Sequence, residues 1–512
     1  MKPIRLIRGF LTVGFWTLAS RILGFVREIL ILSLIGPGAT LDAFVAAFRL
    51  PNMFRRFFAE GAFNAAFVPM FSKKYEAGDD PRAFANDALN GLALVVLALT
   101  ALAMIFMPAL VWATAEGFWG DARFDLTVGY GRVVFPYIFF MSLAALFSGV
   151  LNATGRFAIA AAAPVLLNIF AISAMIAAHV LGGEVILWLV WAIPFAGLAQ
   201  LALVWVAADK AGVTLRLGRP RWTPDMSRMV SVALPAALAS GVMQINLVVG
   251  QLVASRTEGA VSWLFAADRL YQLPLGVVGI AVGIVLLPDL SRRLKAGDDL
   301  GARDAYSRAG EFALALTIPC AVAFLAIPLA LVSVMYERGA TTAEDSLAIA
   351  WAVAIYGLGL PAFVLQKLLQ PLFFAREDTK SPFRYAVLSM IVNAALAFGL
   401  YPVIGWLAPA VATSVAAWAM VVFLAIGARR FGEVARFDGQ FRASAPRIIV
   451  AALIMGIALV GLNWLLSSAL TTQGWRYLAL LALITGGSIV YFAAGQLIGA
   501  FNLRKLLKAG RA

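Results

Sequence analysis

Cysteine and histidine are almost absent from this 512-residue chain, where Cys320 and His179 each stand alone. One thiol excludes a disulfide framework, and one thiol with one imidazole excludes a cage of soft metal ligands. Cys320 lies in the apolar run TIPCAVAFLAI, which assigns it the role of a small buried hydrophobe. His179 sits near an expected helix end, just ahead of Gly182 and Gly183, with no partner pattern around it. Charge is scarce too, at 13% of residues. Long polar segments are missing: the largest loops, near 209–226 and 429–446, are short and basic, too small for a catalytic domain. No Gly-rich loop of the Walker type is present, which excludes ATP hydrolysis by this chain and points away from an enzyme.

What is present instead is apolar surface. The chain is 62% hydrophobic with a mean hydropathy of +0.89, a composition of helical polytopic membrane proteins rather than soluble domains. The net charge of +14 does not mark a nucleic-acid partner, because the basic residues are dispersed through short loops between apolar runs. The N-terminus, MKPIRLIRGFLTVGFWTLAS, imitates a signal peptide, but its apolar pattern runs on to Ile35 and reads as a retained first span.

About 20 apolar residues cross a bilayer. That rule gives about fourteen spans: 10–35, 41–71, 87–112, 128–153, 157–180, 185–208, 227–254, 261–290, 311–335, 347–375, 383–401, 404–428, 446–468 and 475–500. The longest, 41–71 and 261–290, are expected to tilt or to run out beyond the bilayer. With a cytoplasmic N-terminus, only Arg123, Arg132, Arg256, Arg338 and Arg476 of the 41 basic residues fall in outer loops. That bias predicts both termini inside.

The chain also repeats itself. FVPMFSKKYEAGDD (Phe67–Asp80) and LLPDLSRRLKAGDD (Leu286–Asp299) align Pro69 with Pro288 and Ser72 with Ser291, and a second echo pairs Pro136 with Pro361 and Asn168 with Asn393. The expected fold is therefore an all-α polytopic membrane protein with two six-helix repeats, related by a pseudo-two-fold axis along the membrane normal, plus a C-terminal helix pair. Its lobes are 1–208 and 209–428, with the added pair in 429–512.

Five arginines fall inside the first two spans: Arg21, Arg27, Arg49, Arg55 and Arg56. A guanidinium keeps its proton wherever it sits. Each would cost roughly 2.5–3.5 kcal/mol at the centre of a lipid-facing helix, so the five together demand a polar interior. Asp42, Arg49, Arg56 and Glu60 recur at helical spacing on one stripe of the second span, with Asn52 beside it and Pro51 opening the backbone ladder. Arg21 and Glu28 share a face of the first span, where Gly24 offers a place to bend. In the eighth span, AADRLYQLP brings Asp268 and Arg269 to the level of Arg49. Arginine forks suit phosphate and pyrophosphate, so the predicted site is an anion-binding cavity in which Glu28, Asp42, Glu60 and Asp268 hold the arginines while it is empty. Purely structural ion pairing is the competing reading, and it is strongest for Arg56 with Glu60. Lys367, in VLQKLLQP, is an even-handed candidate. GVVGIAVG (Gly276–Gly283) is expected to serve close helix packing.

SRILGFVRE (Ser20–Glu28), DAFVAAFRLPNMFRRFFAEGAFNAAFVP, VSWLFAADRLYQLPLGVVGIAVGIVLLP and FFAREDTKSP resemble the MurJ/MviN family. That family comprises lipid II flippases of the multidrug/oligosaccharidyl-lipid/polysaccharide exporter superfamily. The resemblance covers the whole chain and implies transport of lipid II, the undecaprenyl-pyrophosphate-linked peptidoglycan precursor, to the outer leaflet of the bacterial inner membrane by alternating access. It implies roles in cell-wall biogenesis and cell shape. The partners it brings are lipid II, membrane lipids and the cell-wall synthesis machinery, with the chain acting as a monomer. The family's cavity arginines match Arg21, Arg27, Arg55 and Arg269, with Asp42, Arg56 and Glu60 in the same motif, and the last two helices would guide the polyprenyl tail. Some members are credited with a sodium site using a carboxylate on the seventh span. MQINLVVGQLVAS (Met243–Ser255) has none, and Asp378 in AREDTK is the only metal candidate left. Membrane potential acting on a net-positive cavity is the simpler driver. Three other readings are an exporter of another polyprenyl-pyrophosphate-linked oligosaccharide or of cationic drugs, an intramembrane glycosyltransferase, and a scaffold for cell-wall enzymes. Drugs are disfavoured by the arginines, and the enzyme by the short outer loops.

Overall fold

The computed structural model describes residues 3–55, 63–281 and 286–501, and every regular element among them is helical. The helices are α1 (Pro3–Leu34), α2 (Ala39–Arg55), α3 (Asn64–Ala77), α4 (Pro81–Ile105), α5 (Met107–Thr114), α6 (Ala122–Val134), α7 (Tyr137–Ala153), α8 (Phe157–Leu181), α9 (Val185–Lys210) and α10 (Pro224–Ala254). There follow α11 (Ala260–Ala281), α12 (Leu287–Lys295), α13 (Asp299–Ala326), α14 (Pro328–Tyr336), α15 (Ala343–Phe374), α16 (Lys380–Ile404), α17 (Ala408–Ala428), α18 (Gly439–Leu465), α19 (Ser467–Thr471) and α20 (Arg476–Ile498). The described residues of the expected spans are largely helical, with breaks at 106, 135–136, 327 and 466. Nine stretches among those residues are long and apolar enough to cross a membrane.

Several spans are two helices end to end, and proline marks the joints. Pro108 opens α5, Pro136 precedes α7 and Pro328 opens α14. A proline lacks the N–H that a helix interior needs but is well suited to a first turn, so each restart is placed by its ring. The same residue is tolerated inside α8, α9, α13 and α15, at Pro164, Pro194, Pro319 and Pro361. The Pro136–Pro361 echo therefore pairs a joint with an unbroken helix.

The other echoes share a local structure. Gly78 and Gly297 both take left-handed backbone, with φ of +69° and +70°, and stop α3 and α12. An aspartate then caps the next helix: Asp80 accepts from Ala83 N–H at 3.3 Å and Asp298 from Gly301 N–H at 2.8 Å. Both sequences AGDD thus encode a stop followed by a start, as glycine C-caps and aspartate N-caps do. Asn168 and Asn393 are likewise both buried.

The chain divides into two compact units: 1–262 with 338–341, and 263–337 with 342–512. In the first unit α10 packs on α3, α4 and α5, α1 lies along α8 and α2 along α6. Its core holds a ladder of rings, with Phe63, Phe67 and Phe71 stacked at 5.2 and 5.5 Å and Phe84 at 5.7 Å from Phe67. In the second unit, α18 and α20 pack on each other and α18 on α13, with Gly456 admitting Val322 and Gly487 admitting Leu459. The outward faces of α18 and α20 are apolar and bare, as at Ile457 (76% exposed) and Leu497 (87%), which suits helices bathed in acyl chains.

The turn between α1 and α2 is held by the 338–341 segment. Ala340 N–H donates to Ser33 O at 2.8 Å and Thr341 Oγ1 to Leu32 O at 2.7 Å, meeting carbonyls that the end of α1 would leave bare. Gly36 has φ +76°, and a Cβ there would sit 2.5 Å from Ala340 O. Gly36→Ala is expected to lower the thermal unfolding temperature of the purified protein further than Gly78→Ala. The latter meets nothing within 4 Å and should lose only the left-handed strain, about 1–2 kcal/mol. Equal losses would refute the close approach at Gly36.

Candidate functional site

The first unit carries Arg21, Arg27, Arg49 and Arg55 on consecutive helices joined by a turn at 35–38. With a rise of 1.5 Å per residue, Arg27 and Arg21 lie about 10 and 20 Å back from the end of α1. Arg49 and Arg55 lie about 15 and 24 Å from the start of α2. Arg21, Arg27 and Arg49 thus lie well inside their helices, whereas Arg55 is the last described residue of α2.

Their settings differ. Arg27 donates to Glu28 Oε1 at 2.9 Å, and the two side chains are 11% and 3% exposed. A buried pair of this kind keeps a charge in place whose removal from water alone would be costly. Glu28 thus pairs with its neighbour Arg27, whereas a shared helix face had linked it with Arg21. Arg21 is exposed, and Arg49 and Arg55 are half-buried. Gly24 lies within an unbroken helix and faces Asn168, whose Nδ2 donates to Ser20 O at 3.0 Å. Asn52 Nδ2 donates to Phe48 O at 3.1 Å, inside the turn that Pro51 loosens. Arg56 and Glu60 lie outside the described residues.

Asp42 departs from its expected task. It is fully buried and accepts from Gly259 N–H at 2.7 Å, Ser262 N–H at 2.8 Å and Ser262 Oγ at 2.6 Å, capping the start of α11. Its nearest described cation is Arg123, at 3.7 Å, rather than an arginine of its own stripe. Helical spacing placed Asp42 seven residues from Arg49, but that relation is one of face, and the first turn of α2 meets a different neighbour.

Arg123 is the residue that sequence reasoning passed over as a loop cation. It is 6% exposed, pairs with Asp121 at 2.6 Å, donates to Ser255 O at 3.1 Å and lies over the Phe118 ring at 4.6 Å. The available signal was DARFD, in which Asp121 both caps α6 and faces Arg123. Gly117 completes this packing: a Cβ there would meet the 255–256 backbone at 2.5 Å.

In the second unit, Arg269 lies about 14 Å along α11 from its start and over the Phe265 ring at 5.0 Å. Asp268 is hydrogen-bonded by Gln272. Lys367 is exposed on α15. Asp378, the metal candidate, spends its oxygens on the Ser381 N–H at 3.0 Å and on Arg430. Burial works against its charge, but these donors outweigh it and hold its carboxyl below the usual range. Donors of hydrogen bonds occupy the positions a cation would need, and the described residues contain no group of three or more His, Cys, Asp and Glu that could hold a metal ion.

Removing Asp42 strands several buried donors at once. Asp42→Ala is expected to destabilise the purified protein by about 1–3 kcal/mol, read as a lower unfolding temperature. Asp42→Asn should fall between, because its amide oxygen can serve one of the two donor sets while its NH2 opposes the other. An unchanged Asp42→Ala would show that the acceptor is dispensable.

The family model described as lipid II flippase MurJ matches residues 31–486. A protein of Rhizobium tropici named probable lipid II flippase MurJ is 45% identical, with 99% of this chain and 97% of that one covered. A Burkholderia cenocepacia protein named lipid II flippase MurJ is 33% identical over 96% of both. Among solved structures, a lipid II flippase MurJ in an inward closed conformation matches with a TM-score of 0.80 at 25% identity, over 97% of this chain and all of that one. An inward-facing multidrug transporter of the MATE family and MOP superfamily shares the fold, with a TM-score of 0.69 at 14% identity, over 81% of this chain and 95% of that one.

Proposed function

This chain belongs to the lipid II flippase MurJ family, and from that premise we propose that it carries lipid II from the inner to the outer leaflet of the bacterial inner membrane. The family is one of transporters, not enzymes, and the chain is a multi-pass membrane protein. The observation that supports the proposal is the placing of Arg21, Arg27 and Arg49 well inside two successive helices, with Arg27 paired with the buried Glu28. A permanently charged fork at that depth has a use if an anion passes it, and a pyrophosphate bridging lipid and sugar is such an anion.

In this reading the headgroup is taken from the cytoplasmic side, and its pyrophosphate exchanges with Glu28 for Arg27. Arg21 and Arg55 are the further ligands in the first unit, and Arg269 has the same task on its own helix. Alternating access would require release of the outer ties, in which Asp42 holds the start of α11 and Thr341 holds the end of α1. The distribution of arginine and lysine supports cytoplasmic termini. Membrane potential is the proposed drive, since a charge crossing the field gains about 2.3 kcal/mol per 100 mV.

The test is outer-leaflet exposure of lipid II in spheroplasts, read with an external reagent that cleaves it, while the protein is depleted and then restored. Depletion should abolish exposure and the wild type should restore it. Arg27→Ala should lower the rate roughly 10- to 100-fold, the size of a lost charge-assisted bond, while still inserting in the membrane. Exposure that survives depletion would leave the fold intact and move the substrate to another polyprenyl-pyrophosphate-linked oligosaccharide.

A further inference from the structure

The second unit contains a cavity of about 430 Å³ where the chain passes from α17 through a 3-10 segment, Arg429–Ala435, into α18. Its size is that of a small-molecule site. One wall is a stack of three rings, with Tyr306 on Phe437 at 4.8 Å and Phe437 on Phe441 at 3.7 Å. Ala425, Ala445 and Pro446 supply a smooth apolar wall opposite. Around it α17 and α18 expose Val422, Ile426, Ile449 and Val450, the kind of surface that meets acyl chains.

Two polar side chains of this lining differ in what they offer a ligand. Tyr306 is fully buried, lines the cavity, and has a hydroxyl with no hydrogen-bond partner in the protein. Buried hydroxyls are normally bonded, but this oxygen is closed off from the cavity by the packing around it and bears on no ligand there. Arg442, also in the lining, is exposed and has no acidic partner among the described residues. The acids nearby are committed elsewhere: Glu311 and Asp438 hold Arg308, and Glu433 bonds Arg303 at 3.2 Å and Arg436 at 2.8 Å. An arginine is thus left facing an apolar cavity at the point where lipid-facing helix gives way to a basic loop.

We propose that this cavity is a binding site for an anionic glycerophospholipid of the cytoplasmic leaflet. The phosphate sits against Arg442, and one acyl chain lies along Ala425 and Ala445, against the Phe437 and Phe441 rings. A zwitterionic lipid would bring its own cation towards the arginines and bind less well. A soluble phosphate would leave the apolar walls bare. The site is separate from the arginines of α1 and α2 and does not rest on what the protein transports.

Native mass spectrometry of the full-length protein in detergent tests this by counting bound lipids during titration with phosphatidylglycerol and with phosphatidylcholine of the same chains. The first phosphatidylglycerol is expected to bind at least five-fold more tightly. Arg442→Glu should abolish that preference, Ala425→Trp should fill the groove and weaken phosphatidylglycerol at least five-fold with every charge intact, and Arg221→Glu, an exposed arginine elsewhere, should change nothing. Equal binding of the two lipids, or equal losses in Arg442→Glu and Arg221→Glu, would overturn the proposal. Displacement by a tenfold excess of inorganic phosphate would make this a free-anion site. Displacement by undecaprenyl phosphate would assign it to the tail of the transported lipid instead.

Discussion

A guanidinium that cannot lose its proton must be given a polar surrounding, and in a membrane that demand governs the helices that carry it. α1 and α2 show how it is met. Glu28 is buried beside Arg27, and Asn168 of α8 bonds the α1 backbone at Ser20, one residue before Arg21. Neither contact would be worth much in water, where an exposed ion pair contributes little. At depth the alternative to each is a charge or carbonyl without a partner, so the same bonds become conditions for the helices to lie where they do.

The ends of α1 and α2 that flank the 35–38 turn obey the complementary rule, that buried backbone groups must be satisfied. Asp42 takes two N–H groups and a hydroxyl at the start of α11, and the 338–341 segment donates to Leu32 and Ser33 at the end of α1. Arg123 ties the 255 backbone to the 117–121 loop. One carboxylate and one guanidinium, 3.7 Å apart, thereby organise several chain segments far apart in sequence. Arg132, Arg256 and Arg476 likewise bond protein groups.

Legibility followed range. Apolar runs of about 20 residues are a local property, so the all-helical, membrane-spanning character was readable, and AGDD could be recognised twice because a glycine stop and an aspartate cap act within a few residues. Proline joints were less readable, since Pro136 restarts a helix while Pro361 does not, and the neighbours of each decide. The arginines of the candidate site were found because charge in an apolar run is conspicuous. The partner of Asp42 was not, because it lies 217 and 220 residues away in the chain. Arg123 was missed for the opposite reason: a base in an outer loop looks like solvent-exposed punctuation until the fold buries it.

The distribution of acids decides which arginines are available to a ligand. Where a carboxylate is spent, as Glu433 is on Arg303 and Arg436, or Asp378 on Arg430, the guanidinium is part of the scaffold. Arg27 occupies an intermediate position: its partner Glu28 lies on the same helix, one residue on, so the pair can open by rotamer change with no movement of backbone. An incoming pyrophosphate offers more acceptor oxygens than one carboxylate and can compete for that fork. In the proposed cycle such a resident competitor would favour release, with Glu28 returning to Arg27 as the anion leaves and sparing the guanidinium a dry, unpartnered state. The buried pair therefore lowers the cost of the empty site, and the same property makes release as feasible as capture.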